Sequence, residues 1–227
     1  MERICSLLVD GSASFDAPLS ERAMAEAIGL GRMPVREALR DLAREGIVSV
    51  EPGRGTFLRR LESAEVTELL EVRLAIEGMA ARLAAEKGFV GELPQIVATL
   101  KALAVGALTG QRRVEAEAIG DRVHRAIIRG AGNEILNSLY AGLRLRIGIS
   151  LRLVQRRTVD RIQDTVVEHL AIAEAILARS GDAAVGALHA HLRNGHAITM
   201  ANLPAQVPQA SGPANVALAR RRGRPPT

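Results

Sequence analysis

A single cysteine, Cys5, is present in 227 residues. That excludes an internal disulfide and any metal site built on a cysteine cluster, and Cys5 reads as a small buried apolar group. Long apolar runs are missing too. Hydrophobic residues make up 48% of the chain, yet the uninterrupted stretches are only a few residues, far short of the roughly 20 that cross a bilayer. The first residues, MERICSLLVDG, have neither the apolar core nor the cleavage site of a secretory signal, so the expected address is cytoplasmic. Lysine occurs only at Lys87 and Lys101, so almost all of the 30 basic side chains are arginine, against 25 acidic ones and a formal charge of +5. A GC-rich genome produces such a bias by itself, which makes the position of the base more telling than its sum. Base is dense over residues 32 to 60 and 220 to 224 and balanced through much of the rest, a distribution that suits a polyanionic partner.

The length fits one domain or two small ones, and the change of texture along the chain favours two. From Ser20 to about Thr56 the pattern is helix, tight turn, helix, then two short extended pieces. Ser20 can cap ERAMAEAI by accepting from a backbone N–H, and Gly29 suits the left-handed residue that ends it. Pro34 fits the first turn of a second helix, where its missing N–H costs nothing. In that helix Val35, Ala38, Leu39, Leu42 and Ala43 form an apolar stripe, with Arg36, Arg40 and Arg44 on the opposite face. Ile47 to Val50 and Thr56 to Leu58 flank a Pro-Gly-Arg-Gly turn, the mark of a hairpin with a basic tip. Residues 1 to 60 therefore read as a winged helix-turn-helix. Beyond Leu61, long Ala/Leu/Ile-rich amphipathic segments break near Gly88, Gly110, Gly132, Arg157 and Gly181, which implies about six helices in a bundle over residues 63 to 203. The fold class expected is mainly α. Residues 204 to 227, rich in Pro, Ala and Gly, read as a disordered tail with a basic end.

A helix whose N-terminal half carries Arg32, Arg36 and Arg40 has the form of one that enters the major groove. The guanidinium fork can take guanine O6 and N7 together, and its charge displaces counterions from phosphate. Glu37 either accepts from a cytosine amino group or pairs with Arg36 or Arg40, and pairing is the reading adopted. Arg54 at the hairpin tip would reach the minor groove or a phosphate, with Gly53 and Gly55 supplying positive backbone angles.

The stretch LSERAMAEAIGLGRMPVREALRDLAREGIVSVEPGRGTFL resembles the winged helix-turn-helix of the GntR family of bacterial transcription regulators, and the resemblance covers nearly the whole first domain. It implies operator contacts at Arg32, Arg36, Arg40 and Gly55. Gly31 and Met33 depart from the family's usual Ser and Thr, each losing a hydroxyl able to touch phosphate. ELLEVRLAIEGMAARLAA, residues 68 to 85, followed by histidines in three separate helices, is similar to the all-helical FCD ligand-binding domain of the FadR-type branch.

Those histidines are His124, His169 and His191, each with apolar neighbours at helical spacing and so pointing inward. Three neutral imidazoles from different helices can converge on one divalent ion and leave positions open for water or a carboxylate. Zinc, nickel and manganese all remain open. The resemblance implies a fourth ligand, an Asp four residues before the first histidine, but Gly120 stands there. Asp121 and, a turn back, Glu117 are substitutes, as is solvent. His189 and His196 read as surface residues. Arg73 sits on an apolar face, to be partnered either by Glu77 one turn on or by the carboxylate of a small effector, with Arg144 and Arg146 as further effector contacts.

In the tail, ARRRGRPPT resembles the AT-hook, with Arg222, Gly223 and Arg224 as the minor-groove segment; an unspecific basic tail fits as well. The reading adopted is a non-enzymatic, homodimeric DNA-binding regulator, a repressor by family analogy, that binds a double-stranded operator and responds to a small organic acid. Its rivals are a metal-dependent hydrolase using the three histidines and an architectural A·T-tract binder led by the tail.

Overall fold

A computed structural model of the chain describes residues 2–9, 11, 13–88, 91–152 and 158–203. The basic tail, with Arg222, Gly223 and Arg224, lies outside the described residues, and so does the break at Arg157.

The N-terminal part contains α1 (Glu2–Val9), α2 (Glu21–Ile28) and α3 (Arg32–Arg44), followed by strands β1 (Val48–Glu51) and β2 (Gly55–Leu58). Helix α1 is an element that sequence reasoning missed. Its signal is an Ile4/Leu8 pair one turn apart, both almost fully buried, in a helix of only eight residues. Ser20 caps α2 by accepting from the Ala23 N–H at 3.2 Å, and Gly29 closes it at φ 65°. Met24, Ala25 and Ile28 of α2 are buried, as are Val35, Ala38, Leu39 and Leu42 of α3, and the two helices pack together. The strands pair antiparallel from Val48↔Leu58 to Glu51↔Gly55 around the turn at Pro52 to Arg54. Gly55 has φ 118°, and a Cβ there would lie 3.1 Å from Pro18, so glycine is needed both for the turn and for its seat against the chain that leads into α2.

Among the described residues six helices follow: α4 (Ser63–Lys87), α5 (Leu93–Ala104), α6 (Gly110–Gly130), α7 (Glu134–Arg152), α8 (Val159–Leu177) and α9 (Gly181–Asn202). They match the six expected from the breaks. Helix α4 is held at its start by Glu65, which accepts from the Glu62 N–H at 2.9 Å, and ends at Gly88 in the left-handed region. Small residues, among them Ala80, Ala81 and Ala84, keep its buried face thin where it packs along α9. Among the described residues no helix is long and apolar enough to cross a membrane.

Arginines join the two parts. Arg59, just after β2, donates to the Gly46 carbonyl and grips Glu65 of α4 with both guanidinium arms at 2.8 and 2.6 Å. Arg152 at the end of α7 donates to the carbonyls of Leu8 and Ala13. Arg146, expected to face an effector, instead donates to the Glu45 carbonyl at the end of α3. Its side chain is therefore spent on the junction.

Candidate metal centre and nucleic-acid interface

On the exposed side of α3, Arg32 and Arg40 are open to solvent, while Arg36 is half-buried. Arg36 does not pair with Glu37. Glu21, in the first turn of α2, faces it and takes its Nε and Nη2 in a fork at 2.9 to 3.1 Å. That hydrogen bond, aided by the nearby charges of Arg32 and Arg40, holds the Glu21 carboxyl below the usual carboxylate range. Arg36 thus fixes the angle between the two helices before any nucleic acid arrives. Gly31 caps α3 with extended backbone and no side-chain hydrogen bond, so the first N–H groups of the helix lack an internal acceptor. At the hairpin tip Arg54 is 72% exposed, pairs with Glu51 and lies over the Phe57 ring.

The bundle's interior carries a second set of polar groups. His124 of α6, His169 of α8 and His191 of α9 are all buried, and their ligand nitrogens lie within 4.8 Å of one another. Nε2 of His124 stands 3.3 Å from Nε2 of His191 and 3.4 Å from Nε2 of His169. An ion bound tetrahedrally at about 2.0–2.1 Å from each nitrogen sets those nitrogens about 3.4 Å apart, so the spacing fits one such ion.

The outward nitrogens explain why the inward ones face each other. His124 Nδ1 lies 2.5 Å from one oxygen of Glu77, whose other oxygen takes Arg73 Nε at 2.5 Å. His191 Nδ1 lies 2.7 Å from Glu168, which also takes both arms of Arg161 and the Asn194 amide. Burial would raise both carboxyls, but the His124 and Arg73 charges pull Glu77 down to about 2, and the hydrogen bonds of His191, Arg161 and Asn194 do the same for Glu168. Both are therefore ionised and can only accept, which makes each Nδ1 a donor. Burial, opposed by the Glu168 hydrogen bond and reinforced by His124, pushes His191 down to about 4, so it is neutral near pH 7. A neutral ring that donates through Nδ1 presents a lone pair at Nε2. That nitrogen faces His124 Nε2 at 3.3 Å, and a carboxylate behind a histidine whose far nitrogen is turned to a shared point is how proteins orient metal ligands.

Sequence reasoning found the three rings but missed Glu168 and Arg161 altogether and saw Glu77 only as a partner for Arg73. Asp121 does not join the cluster. It lines the same cavity but is half exposed, and its carboxylate is taken by Arg125 at 3.0 Å and Arg144 at 3.5 Å. At Gly120 an added Cβ would lie 2.9 Å from Cε1 of His169, so the absence of a side chain there is what lets that ring approach α6. His189 and His196 are not surface residues. Both are half-buried between α9 and α4, His189 against the Leu74 carbonyl and His196 at 3.2 Å from the Thr67 hydroxyl.

The rings open on a cavity of about 750 Å3 bounded by α1, α4, α6, α7, α8 and α9. Arg73, Arg144 and Tyr140 line it near the histidines.

Two family models match the chain: "Bacterial regulatory proteins, gntR family" over residues 1–58 and "FCD domain" over residues 68–194. A protein of Paenarthrobacter nicotinovorans, "Probable D-xylose utilization operon transcriptional repressor", is 31% identical over 82% of this chain and 80% of its own length. Among solved structures, E. coli McbR/YncC superposes with a TM-score of 0.74 at 22% identity over 87% of this chain and 93% of that one. The Zn2+-bound FCD domain of TM0439 gives a TM-score of 0.53 at 24% identity, covering 63% of this chain and 96% of that one.

Proposed function

The chain belongs to the GntR family of bacterial regulatory proteins and carries an FCD domain, and from that membership we propose that it is an operator-binding repressor governed by a metal-anchored organic acid. The observation that carries the effector half of this reading is the convergence of three histidine nitrogens, with the His124 and His191 rings locked from behind by Glu77 and Glu168. The division adopted is a DNA-binding head over residues 1 to 60, an effector domain over 63 to 203 and a basic tail over 204 to 227.

In the head, Arg32 and Arg40 are the base-reading side chains, Arg36 joins them only by exchanging Glu21 for DNA, and Arg54 with the Gly55 backbone reaches the phosphates or the adjacent minor groove. A two-fold operator needs two heads, so the working species is a homodimer. The apolar Ile135 and Leu139, one turn apart on α7 and 76% and 57% exposed, are the surface assigned to that contact.

In the effector domain, His124, His169 and His191 hold a divalent ion, zinc, nickel or manganese. When bound, that ion offers a Lewis-acid position for a carboxylate oxygen. Arg73, clamped at Nε by Glu77, keeps its terminal nitrogens for the same carboxylate, and Arg144 adds positive charge to the cavity wall. An acid that binds one spacing of the two heads better than the other changes operator affinity by that difference. Glu77 and Glu168, the carboxylates that touch the histidines, are both committed to histidine and arginine, which favours a regulator over a hydrolase.

The test is capture of sheared genomic DNA from the source organism by the purified full-length protein at physiological salt, followed by sequencing. A short inverted repeat near a promoter is expected, together with metal near one equivalent per chain and no turnover of ester or phosphate substrates. Enrichment of A·T-rich DNA without symmetry would move the activity to the tail, and no enrichment would sink the operator reading.

A further inference from the structure

One wall of the effector cavity belongs to the DNA-binding head. Cys5, Ser6 and Val9 of α1 line it, and α1 also packs against α2 of the helix-turn-helix. The cavity follows the bundle axis. On α9 its lining runs from His191 to Thr199, eight residues or about 12 Å at the helical rise. Along the same direction it runs from Arg73 back to Val66 on α4 and from Tyr140 to Leu151 on α7.

The two ends differ in chemistry. The histidine end has the imidazoles, Arg73 and Arg144, whereas the far end offers Val66, Ile147, Leu151 and Ile198 beside Ser6 and Val9 of α1, with Ser150, His196 and Thr199 among them already bonded to the Ile147 carbonyl, the Thr67 hydroxyl and the Gly195 carbonyl. At that end α1 lies flush on α7: a Cβ at Gly148 would come 2.6 Å from the Val9 side chain, and Arg152 holds the Leu8 carbonyl just beside it. A three-carbon hydroxy acid has six heavy atoms and occupies about 180 Å3 at about 30 Å3 per heavy atom, the volume share of a liquid water. Set in a cavity of about 750 Å3, it would leave the apolar end to water, which is unfavourable.

We propose that the effector is an elongated monocarboxylic acid whose carboxylate sits at the histidines and Arg73 and whose apolar body runs along the cavity to α1. The head then senses occupancy by direct contact, through Val9 and the α1–α2 packing, in addition to any change in spacing between subunits. This rests on the metal–carboxylate reading above and adds to it the class of acid and the route to the head.

The test uses zinc-loaded full-length protein and two probes with the same carboxylate, lactate and octanoate; the latter is about 9 Å from carboxyl carbon to methyl at ordinary bond lengths. Calorimetry should show octanoate binding more tightly on the order of a hundredfold, since its buried methylenes leave water. Hydrogen exchange across residues 2–9 should slow with octanoate and not with lactate. Ile198→Trp, which fills the far end, should lose octanoate and keep lactate. Lactate binding as tightly as octanoate, or octanoate bound with exchange in α1 unchanged, overturns the elongated class and the contact with the head while leaving the metal–carboxylate reading standing. No zinc-dependent heat from either acid overturns that reading and this inference together.

Discussion

Glu77 is 1% exposed and serves two partners at once, Arg73 through one oxygen and His124 through the other. Glu77→Gln keeps the shape but can no longer accept on both sides, so the His124 ring loses its fixed tautomer. Metal affinity is expected to fall by about 10–100-fold, read by competition with a chromogenic chelator; unchanged affinity would show that the ring needs no such support. In the head, Arg40 and Arg54 separate by role. Arg40→Ala should cost about 1–3 kcal/mol at the operator and relax one base position, whereas Arg54→Ala should weaken binding to all sequences and lower the salt slope by about 1. Equilibrium binding at several salt concentrations, on operator and on scrambled DNA, distinguishes them. Arg36 would have been grouped with Arg40 on helical spacing alone. Its commitment to Glu21 was not legible in the sequence, because the two sit on different helices fifteen positions apart.

Element by element, local signals served well where they were strong. Ser20, Gly29 and Gly88 end or begin helices as their chemistry dictates, and the hairpin forms around Gly53 and Gly55. Gly55→Ala puts a side chain at φ 118° and within 3.1 Å of Pro18, so the wing should be destabilised by about 1–3 kcal/mol. DNA affinity should drop while metal stoichiometry stays unchanged, measured on the same preparation; equal DNA affinity would show that the hairpin tip makes no contact. Helix α1 escaped notice because eight residues carry too few periodic positions to stand out, and its place is set by α7 and α2 rather than by its own propensity.

At the scale of the whole molecule, the buried ion-pair networks make folding sensitive to acid. Glu77 and Glu168 titrate near 2 in the folded protein against an ordinary 4.5, and His191 near 4 against 6.5. In each case the unfolded chain binds more protons between the two values, so stability is lost as pH falls. The histidine contributes its loss from about 6.5 down to about 4, and the carboxylates contribute theirs from about 4.5 down to about 2. Urea midpoints of metal-free protein should therefore decline steadily from pH 7 to pH 4. A flat profile would mean that the networks are not maintained in solution. Metal added at pH 7 should raise the midpoint, since it binds the folded state alone.

The sequence by itself determined what depends on neighbours along the chain: six helices in the second part, a helix-turn-helix with a basic wing in the first, and three histidines turned inward. Periodicity and capping act within a turn or two, so they can be read without the fold. Only the tertiary structure decided which partners those residues meet. Glu77 and His124 are 47 positions apart, Glu168 and His191 are 23, and Arg146 reaches Glu45 across 101. It also excluded Asp121 from the cluster and brought α1 to the cavity wall. Hydrogen bonds and metal ligation depend on distances of a few tenths of an ångström between segments, and those distances exist only once the helices have packed.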